Sequence, residues 1–348
     1  MKTRLINFFV RLILKFTRKE KKQSILIVKL DEIGDFVIFR EQIRNLYDSG
    51  YKNITLLGNL VWKDLAENTE SKYVDNFIFI DKKRFNLSII YKFSVLYKVS
   101  KLKFDLLIHP TQSRDYYISD FIVSVITSKV KIGFKSDLIN STQNQLFRSN
   151  KYYTKLIDCC KVRFEKDKYN CFFKKALNID FVRNNKIKKQ PSKRQCLIFV
   201  GASNPSRRWS KYEKLVDLIL PHFDRIILCG GGDSKLNFNT KNDVKIVNLI
   251  NKTTLSEFRT ILFDSALLIT NESFAHHLAV ETQTDCIVIS NGNNYTRFHP
   301  YPEKYLKSKH IIVYPRKFNR NCDNLNLPSI DDIEEEDVFE EILKSEKL

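Results

Sequence analysis

The feature that most constrains this chain is a recurrent exchange of short apolar runs for helical stretches. Its first instance is Ile25 to Asp35, ILIVKLDEIGD. Ile25 to Leu30 holds five aliphatic residues and one lysine, the composition of a strand covered on both faces in a parallel sheet. Asp31-Glu32-Ile33-Gly34-Asp35 interrupts it, and Phe36 to Tyr47 then shows the apolar spacing of a helix. A strand that turns into a helix puts the turn at the carboxyl edge of its sheet, where open α/β folds hold ligands. Gly34 permits a tight turn there because it has no Cβ. Asp35, at the start of the helix, is either its N-cap or a carboxylate aimed into a cleft. This stretch by itself leaves both open.

The exchange continues through Ile54 to Leu57, Phe77 to Ile80, Leu106 to Ile108 and Val130 to Phe134, with helical stretches near 60–69, 87–102 and 115–127. Such alternation predicts a parallel sheet with helices on both faces. His109-Pro110 ends one of these strands at the same edge as Asp35, so His109 is a secondary candidate to line a cleft beside it. Lys135 to Gln195 is polar and lysine-rich, with a helix expected only near Tyr169 to Leu177. Proline and clustered charge mark 186–195 as a linker.

A second alternating unit starts at Cys196 to Val200. The loop Gly201 to Trp209 follows, and Ser210 and Glu213 have capping-box spacing for a helix through Leu220. Arg225 to Cys229, Val244 to Leu249, Ala266 to Thr270 and Cys286 to Ser290 read as strands, the last being the final clear one. Thr254 and Glu257 repeat the capping box, Gly230-Gly231-Gly232 reads as a turn, and Asn271-Glu272-Ser273 opens a helix carrying His276 and His277. A terminal helix is expected over Asp331 to Leu343. The expected organisation is therefore a first α/β domain over 25–185, the linker, a second α/β domain over 196–330, and the helix in 331–348.

A length of 348 residues allows two domains of ordinary size. Seven scattered cysteines with no CxxC pair suit a reducing compartment and argue against a zinc site or a disulfide framework. The net charge of +19 is spread along the chain and no nucleic-acid motif accompanies it, so no nucleic-acid partner is expected. In residues 1–24, Arg4, Asn7, Arg11, Lys15, Arg18 and Lys22 fall within about 80° of one another on a helical wheel, with apolar residues covering the rest. Arg11 and Lys15 leave no apolar stretch long enough to span a bilayer, and no small-residue cleavage site follows. A cationic stripe beside a wide apolar face predicts a helix lying on an anionic membrane; the alternative is a helix on the protein's own core.

Two loops of the second unit follow strands and precede helices, so they share one sheet edge. The first brings Ser203, Arg207 and Arg208; the second brings Ser273 and the amides of a helix start. Guanidinium groups together with unpaired helix-start amides suit a diphosphate.

With these residues in view the chain resembles glycosyltransferase family 9, the heptosyltransferase family. VKLDEIGDFV looks like the family's N-terminal strand and Gly-Asp turn. FVGASNPSRRWSKYEKL looks like its PGAS…KRW loop and helix. TTLSEFRTILFDSALLITNESFAHHLAVETQTDCIVISNG is similar to its donor-site block, whose core runs Asn-Asp-Thr-Gly-x-x-His-Leu-Ala; Phe298-His299-Pro300 is a weaker echo. The likeness runs from about residue 25 to 300 and is thin between 45 and 190. It implies a GT-B architecture of two Rossmann-like, doubly wound domains facing a cleft, the first taking an acceptor and the second a nucleotide-sugar, typically ADP-heptose, without metal or cofactor. It implies that Asp35 is the general base of inverting transfer, with Gly34 and His109 on the acceptor side. It further implies that Arg207 and Arg208 neutralise the departing diphosphate, that Ser273 replaces the motif's Thr, and that His277 takes its His position. Glu272 stands for the family's Asp and Phe274 for its Gly, where a side chain would crowd the approach of backbone to phosphate.

The expected function is transfer of a heptose or related sugar from an ADP-sugar to lipopolysaccharide core or another surface glycan. The acceptor is expected to be a lipid-linked anionic glycan, met in the cytoplasm on the inner face of a bacterial inner membrane. A GT-B transferase using a UDP- or GDP-sugar is the first alternative. A non-catalytic nucleotide-binding or membrane-scaffold protein of the same fold is the second. A dinucleotide oxidoreductase is disfavoured because no GxGxxG follows any strand.

Overall fold

The computed structural model describes residues 24–180, 194–231, 244–320 and 327–345. The expected N-terminal helix, Gly232 and all of the expected linker except its last two residues lie outside these. The chain divides into two units, Met1–Arg183 and Asn184–Leu348.

In the first unit the apolar runs become strands β1 (Ile25–Lys29), β2 (Ile54–Asn59), β3 (Asn76–Ile80), β4 (Lys103–His109), β5 (Thr127–Phe134) and β6 (Lys155–Ile157). They form one sheet in the order β3-β2-β1-β4-β5-β6, parallel throughout. Direction of winding reverses between β1 and β4, whose register sets Ile25 against Leu106. The carboxyl ends of those two strands are therefore the switch point at which such sheets bind ligands. Leu26, Val28, Leu57, Phe85, Leu96, Leu107, Phe121 and Ile122 belong to a core over one face.

Where one helix is expected over Phe36 to Tyr47, there are two, α1 (Ile33–Phe39) and α2 (Glu41–Asp48), meeting at Arg40. Arg40 is buried, and its guanidinium is paired with Glu70 at 2.7 Å, as a buried charge requires. Between them and the next strands lie α3 (Lys63–Glu70), α4 (Lys82–Leu87), α5 (Ile89–Ser100) and α6 (Ser119–Val125). The polar stretch after residue 135 is more ordered than its periodicity suggests. It holds α7 (Gln143–Asn150), opened by a capping box from Thr142 and Gln145, then β6 and α8 (Glu165–Leu177). Three residues of β6 are too few for a period to register.

The second unit repeats the plan with β7 (Gln195–Phe199), β8 (Arg225–Cys229), β9 (Ile246–Asn248), β10 (Leu267–Asn271), β11 (Asp285–Ile289) and β12 (His310–Val313). Their order is β12-β11-β10-β7-β8-β9, again parallel, and the switch point falls between β7 and β10. β12 is a strand beyond the one expected to be last. Helices α9 (Tyr212–Ile219), α10 (Leu255–Asp264), α11 (Phe274–Thr282) and α12 (Glu335–Lys344) cover the sheet. The capping box of Thr254 and Glu257 forms as expected on α10. That of Ser210 and Glu213 does not: α9 starts after Lys211, and Ser210 instead gives both its amide and its hydroxyl to Asp331, each at 2.9 Å.

Candidate functional site

Each switch point gathers a polar cluster. In the first unit β1 ends in Lys29, which is buried, so its ammonium needs partners close by. It pairs with Asp31 at 2.5 Å and donates to the Tyr169 hydroxyl at 2.7 Å and the Pro110 carbonyl at 3.2 Å. Asp31 also accepts from Thr111 at 2.6 Å, while its carbonyl accepts from the Trp62 indole at 3.1 Å. Burial by itself would raise the Asp31 carboxyl's pKa, but Lys29 and Thr111 outweigh it and hold the group below its usual range. The β1–α1 loop is thus pinned by a residue to which sequence reasoning gave no role.

The helix that leaves this loop is capped at Glu32, without a side-chain bond, and Asp35 lies in its first turn. The N-cap alternative for Asp35 therefore does not hold. Its carboxylate is half-buried, in a place where unpaired helix-start amides favour negative charge. Gly34 is a helical residue of α1 and not the turn itself, which is made by Leu30 to Glu32.

His109 closes β4 fully buried, so its ring lies beneath the sheet edge and does not line it. Tyr153 donates to Asp120 at 2.5 Å, which leaves the His109 Nδ1–H to donate to the phenol oxygen at 2.6 Å. Asp120 is held in turn by Arg114 at 3.2 Å. Burial, with Arg114 and Lys29 nearby, pulls the His109 pKa down to about 4 against the opposing pull of Asp120 and Asp31.

In the second unit the loop after β7 is anchored by Trp209, whose buried indole donates to the Ile333 carbonyl at 2.9 Å. Asn271, at the end of β10, bridges that loop: its amide donates to Val200 O at 3.0 Å and its oxygen accepts from Trp209 N at 3.2 Å. A Cβ on Gly201 would come within 2.9 Å of the Phe199 ring. Asn204 caps the turn Pro205–Arg207, and Arg208 donates to Ala202 O at 3.0 Å. Arg207 reaches Ser203 Oγ at 2.8 Å and Glu272 at 3.1 Å.

Glu272 is buried and also accepts from Asn294 at 3.0 Å, with the His299 ring 3.5 Å from its other oxygen. Ser273 is the N-cap of α11, accepting from Ala275 N at 3.2 Å. Phe274, expected to crowd the helix start, is turned against Phe199 and Phe258, with ring centroids 4.9 and 5.7 Å away. His277 is buried and meets the Tyr301 hydroxyl at 3.0 Å.

The structure thus brings Ser203, Arg207, Arg208, Glu272 and Ser273 to one switch point. It adds Asn271, Asn294 and His299, which sequence reasoning left without roles. The signal for Asn294 was the turn-rich run Asn291 to Asn294, where Gly292 has φ +93 and Asn294 φ +57, and His299 stood in the weaker echo Phe298-His299-Pro300. Among the described residues, one group could hold a metal by proximity, Glu334, Glu335 and Glu336. Glu335 is already paired with Lys214 at 2.9 Å, and Glu334 with Lys211.

The fold is that of GT-B heptosyltransferases. It matches a family 9 glycosyltransferase from Veillonella parvula with a TM-score of 0.73 at 16% identity, over 94% of this chain and 98% of that one. It matches the E. coli heptosyltransferase WaaC with ADP-2-deoxy-2-fluoro heptose with a TM-score of 0.70 at 13% identity, over 92% and 99%. It matches the E. coli ADP-heptose LPS heptosyltransferase II with a TM-score of 0.63 at 15% identity, over 92% and 98%. No curated protein matches the chain by sequence. The family model described as glycosyltransferase family 9 (heptosyltransferase) matches residues 95–327, and the chain belongs to that family. It is accordingly a glycosyltransferase by family.

Proposed function

We propose that the protein transfers a heptose or a related sugar from an ADP-sugar to a lipid-linked anionic glycan, with inversion at the anomeric carbon. Asp35 takes the proton of the acceptor hydroxyl as its oxygen attacks that carbon, and the bond to the diphosphate breaks as the new one forms. Arg207, Arg208, Ser203 and the amides at the start of α11 receive the charge left on the diphosphate. Two guanidinium groups supply the positive charge that departure demands, and we propose that the step needs no metal or cofactor. The observation that carries the reading is the meeting of Arg207, Glu272 and Ser273 at one switch point in a chain of this family. The ADP and ADP-heptose named with the E. coli neighbours favour ADP over UDP or GDP as the donor's nucleotide.

The lipid-linked acceptor puts the proposed site of action on the cytoplasmic face of a bacterial inner membrane. The chain's +19 charge supports this, and among the described residues no helix is long and apolar enough to cross a bilayer. Asp35→Asn keeps size and removes the proton acceptor. Transfer from ADP-heptose is expected to fall about a hundredfold or more, with ADP affinity by calorimetry unchanged. Near-normal turnover in that variant removes Asp35 from the chemistry.

A further inference from the structure

In the first unit one stretch of chain shows apolar side chains that no other element covers among the described residues. Ser88 is at once the C-cap of α4 and the N-cap of α5, its hydroxyl accepting from Tyr91 N at 3.2 Å. This fixed junction displays Leu87, Ile89 and Ile90, which are 77%, 59% and 84% exposed. Beneath it Phe85, Leu96 and Val99 are buried in the core, so the hairpin is firmly seated and its tip is a deliberate surface. Scattered exposed aliphatics are ordinary in soluble proteins; a cluster on a rigid tip marks a contact.

The charge around the tip says what the contact is. At the head of α4 stand Lys82, Lys83 and Arg84, the last two exposed, against one acid in residues 81–90, Asp81. A second copy of the same face would set these cations against their equals. The chain's own residues 1–24, with eight Lys/Arg against Glu20, would likewise bring like charge to it. An anionic bilayer answers both features, taking aliphatic side chains into its interface and cations among its headgroups. The place also fits. The tip follows β3 at the carboxyl edge of the sheet, and Lys82 is paired at 2.8 Å with Glu32, the N-cap of the helix that carries Asp35.

We propose that the α4–α5 hairpin is a membrane-inserting element for anionic phospholipid, separate from residues 1–24, that sets the acceptor edge against the bilayer. The inference deepens the reading of a lipid-linked acceptor, but its test involves no sugar transfer, so the two fail separately.

The test uses the full chain with vesicles of phosphatidylglycerol or phosphatidylcholine. In the variant Ile90→Trp, the new indole is expected to shift to the blue on phosphatidylglycerol and to be quenched by brominated acyl chains, and to do neither on phosphatidylcholine. The triple variant Leu87→Ser/Ile89→Ser/Ile90→Ser is expected to weaken co-sedimentation with phosphatidylglycerol about tenfold, since three aliphatic side chains lose their burial. Its melting temperature and ADP affinity are expected to match the parent's. A water-like emission from the introduced indole in vesicle-bound protein would overturn the proposal, showing attachment elsewhere. So would unchanged co-sedimentation of the triple variant, or a concentration-dependent dimer that this variant abolishes.

Discussion

Arg207 and Glu272 meet at 3.1 Å, a bond that ties the loop after β7 to the loop after β10. Glu272 adds Asn294 at 3.0 Å, so a third loop joins the same carboxylate. An incoming diphosphate competes with this carboxylate for the same guanidinium and is repelled by it. Glu272→Gln is therefore expected to act in opposite directions on fold and ligand. Unfolding free energy falls by about 1–3 kcal/mol as a buried ion pair is broken. ADP affinity rises about threefold or more as Arg207 is released and a negative charge removed. Urea denaturation and calorimetry on one preparation check both signs; weaker ADP binding would make Glu272 a positioning residue for Arg207.

Asn271 is the other tether, and it works without charge. Asn271→Ala leaves the Val200 carbonyl and the Trp209 amide without their bonds. The expected destabilisation is about 2–4 kcal/mol, two buried hydrogen bonds with unsatisfied partners left behind. Because the loss loosens the loop carrying Arg207 and Arg208, ADP affinity is expected to fall as well. A stability loss with unchanged ADP affinity would separate the tether from the site.

Acid should weaken the fold before the carboxylates titrate. The His109 pKa is pulled down to about 4 from an ordinary 6.5, and burial with His310 and His277 nearby lowers that of His276 as well. Below pH 6.5 the unfolded chain binds the protons these two rings refuse, so stability falls as pH falls through that window. His109 contributes a loss of about 3 kcal/mol between pH 6.5 and 4. Asp31, held below its usual range by Lys29, keeps its contribution until pH drops under 3.8. Urea midpoints at pH 7 and pH 5 measure the slope, and His109→Gln or His276→Phe should flatten it. An unaltered slope in both variants would place the dependence on other groups.

Most strands of both sheets were legible because β7, β10 and their like are built on apolar runs, Cys196 to Phe199 and Leu267 to Ile269 in those two, the mark of burial on both faces. The capping box on α10 was legible for a related reason, since both its bonds are made within one turn. Failures came where a distant residue competed: Ser210 has the spacing of a cap and is taken by Asp331, far along the chain. They came also where a strand was too short to show a period, as in β6.

The sequence alone determined the strand–helix alternation, the position of Asp35 at the head of a helix, and the two loops that bring Ser203, Arg207, Arg208 and Ser273 to one edge. These follow from local composition and chain order. Only the tertiary structure decided that Asp35 sits inside the first turn and not at its cap, that His109 is buried against Tyr153, and that Glu272 claims Arg207. Each of those outcomes depends on partners 44 to 65 residues away or on a helix boundary set by the folded loop. A buried polar group must find its partner wherever the fold places one, and that distance is not written in the neighbouring residues.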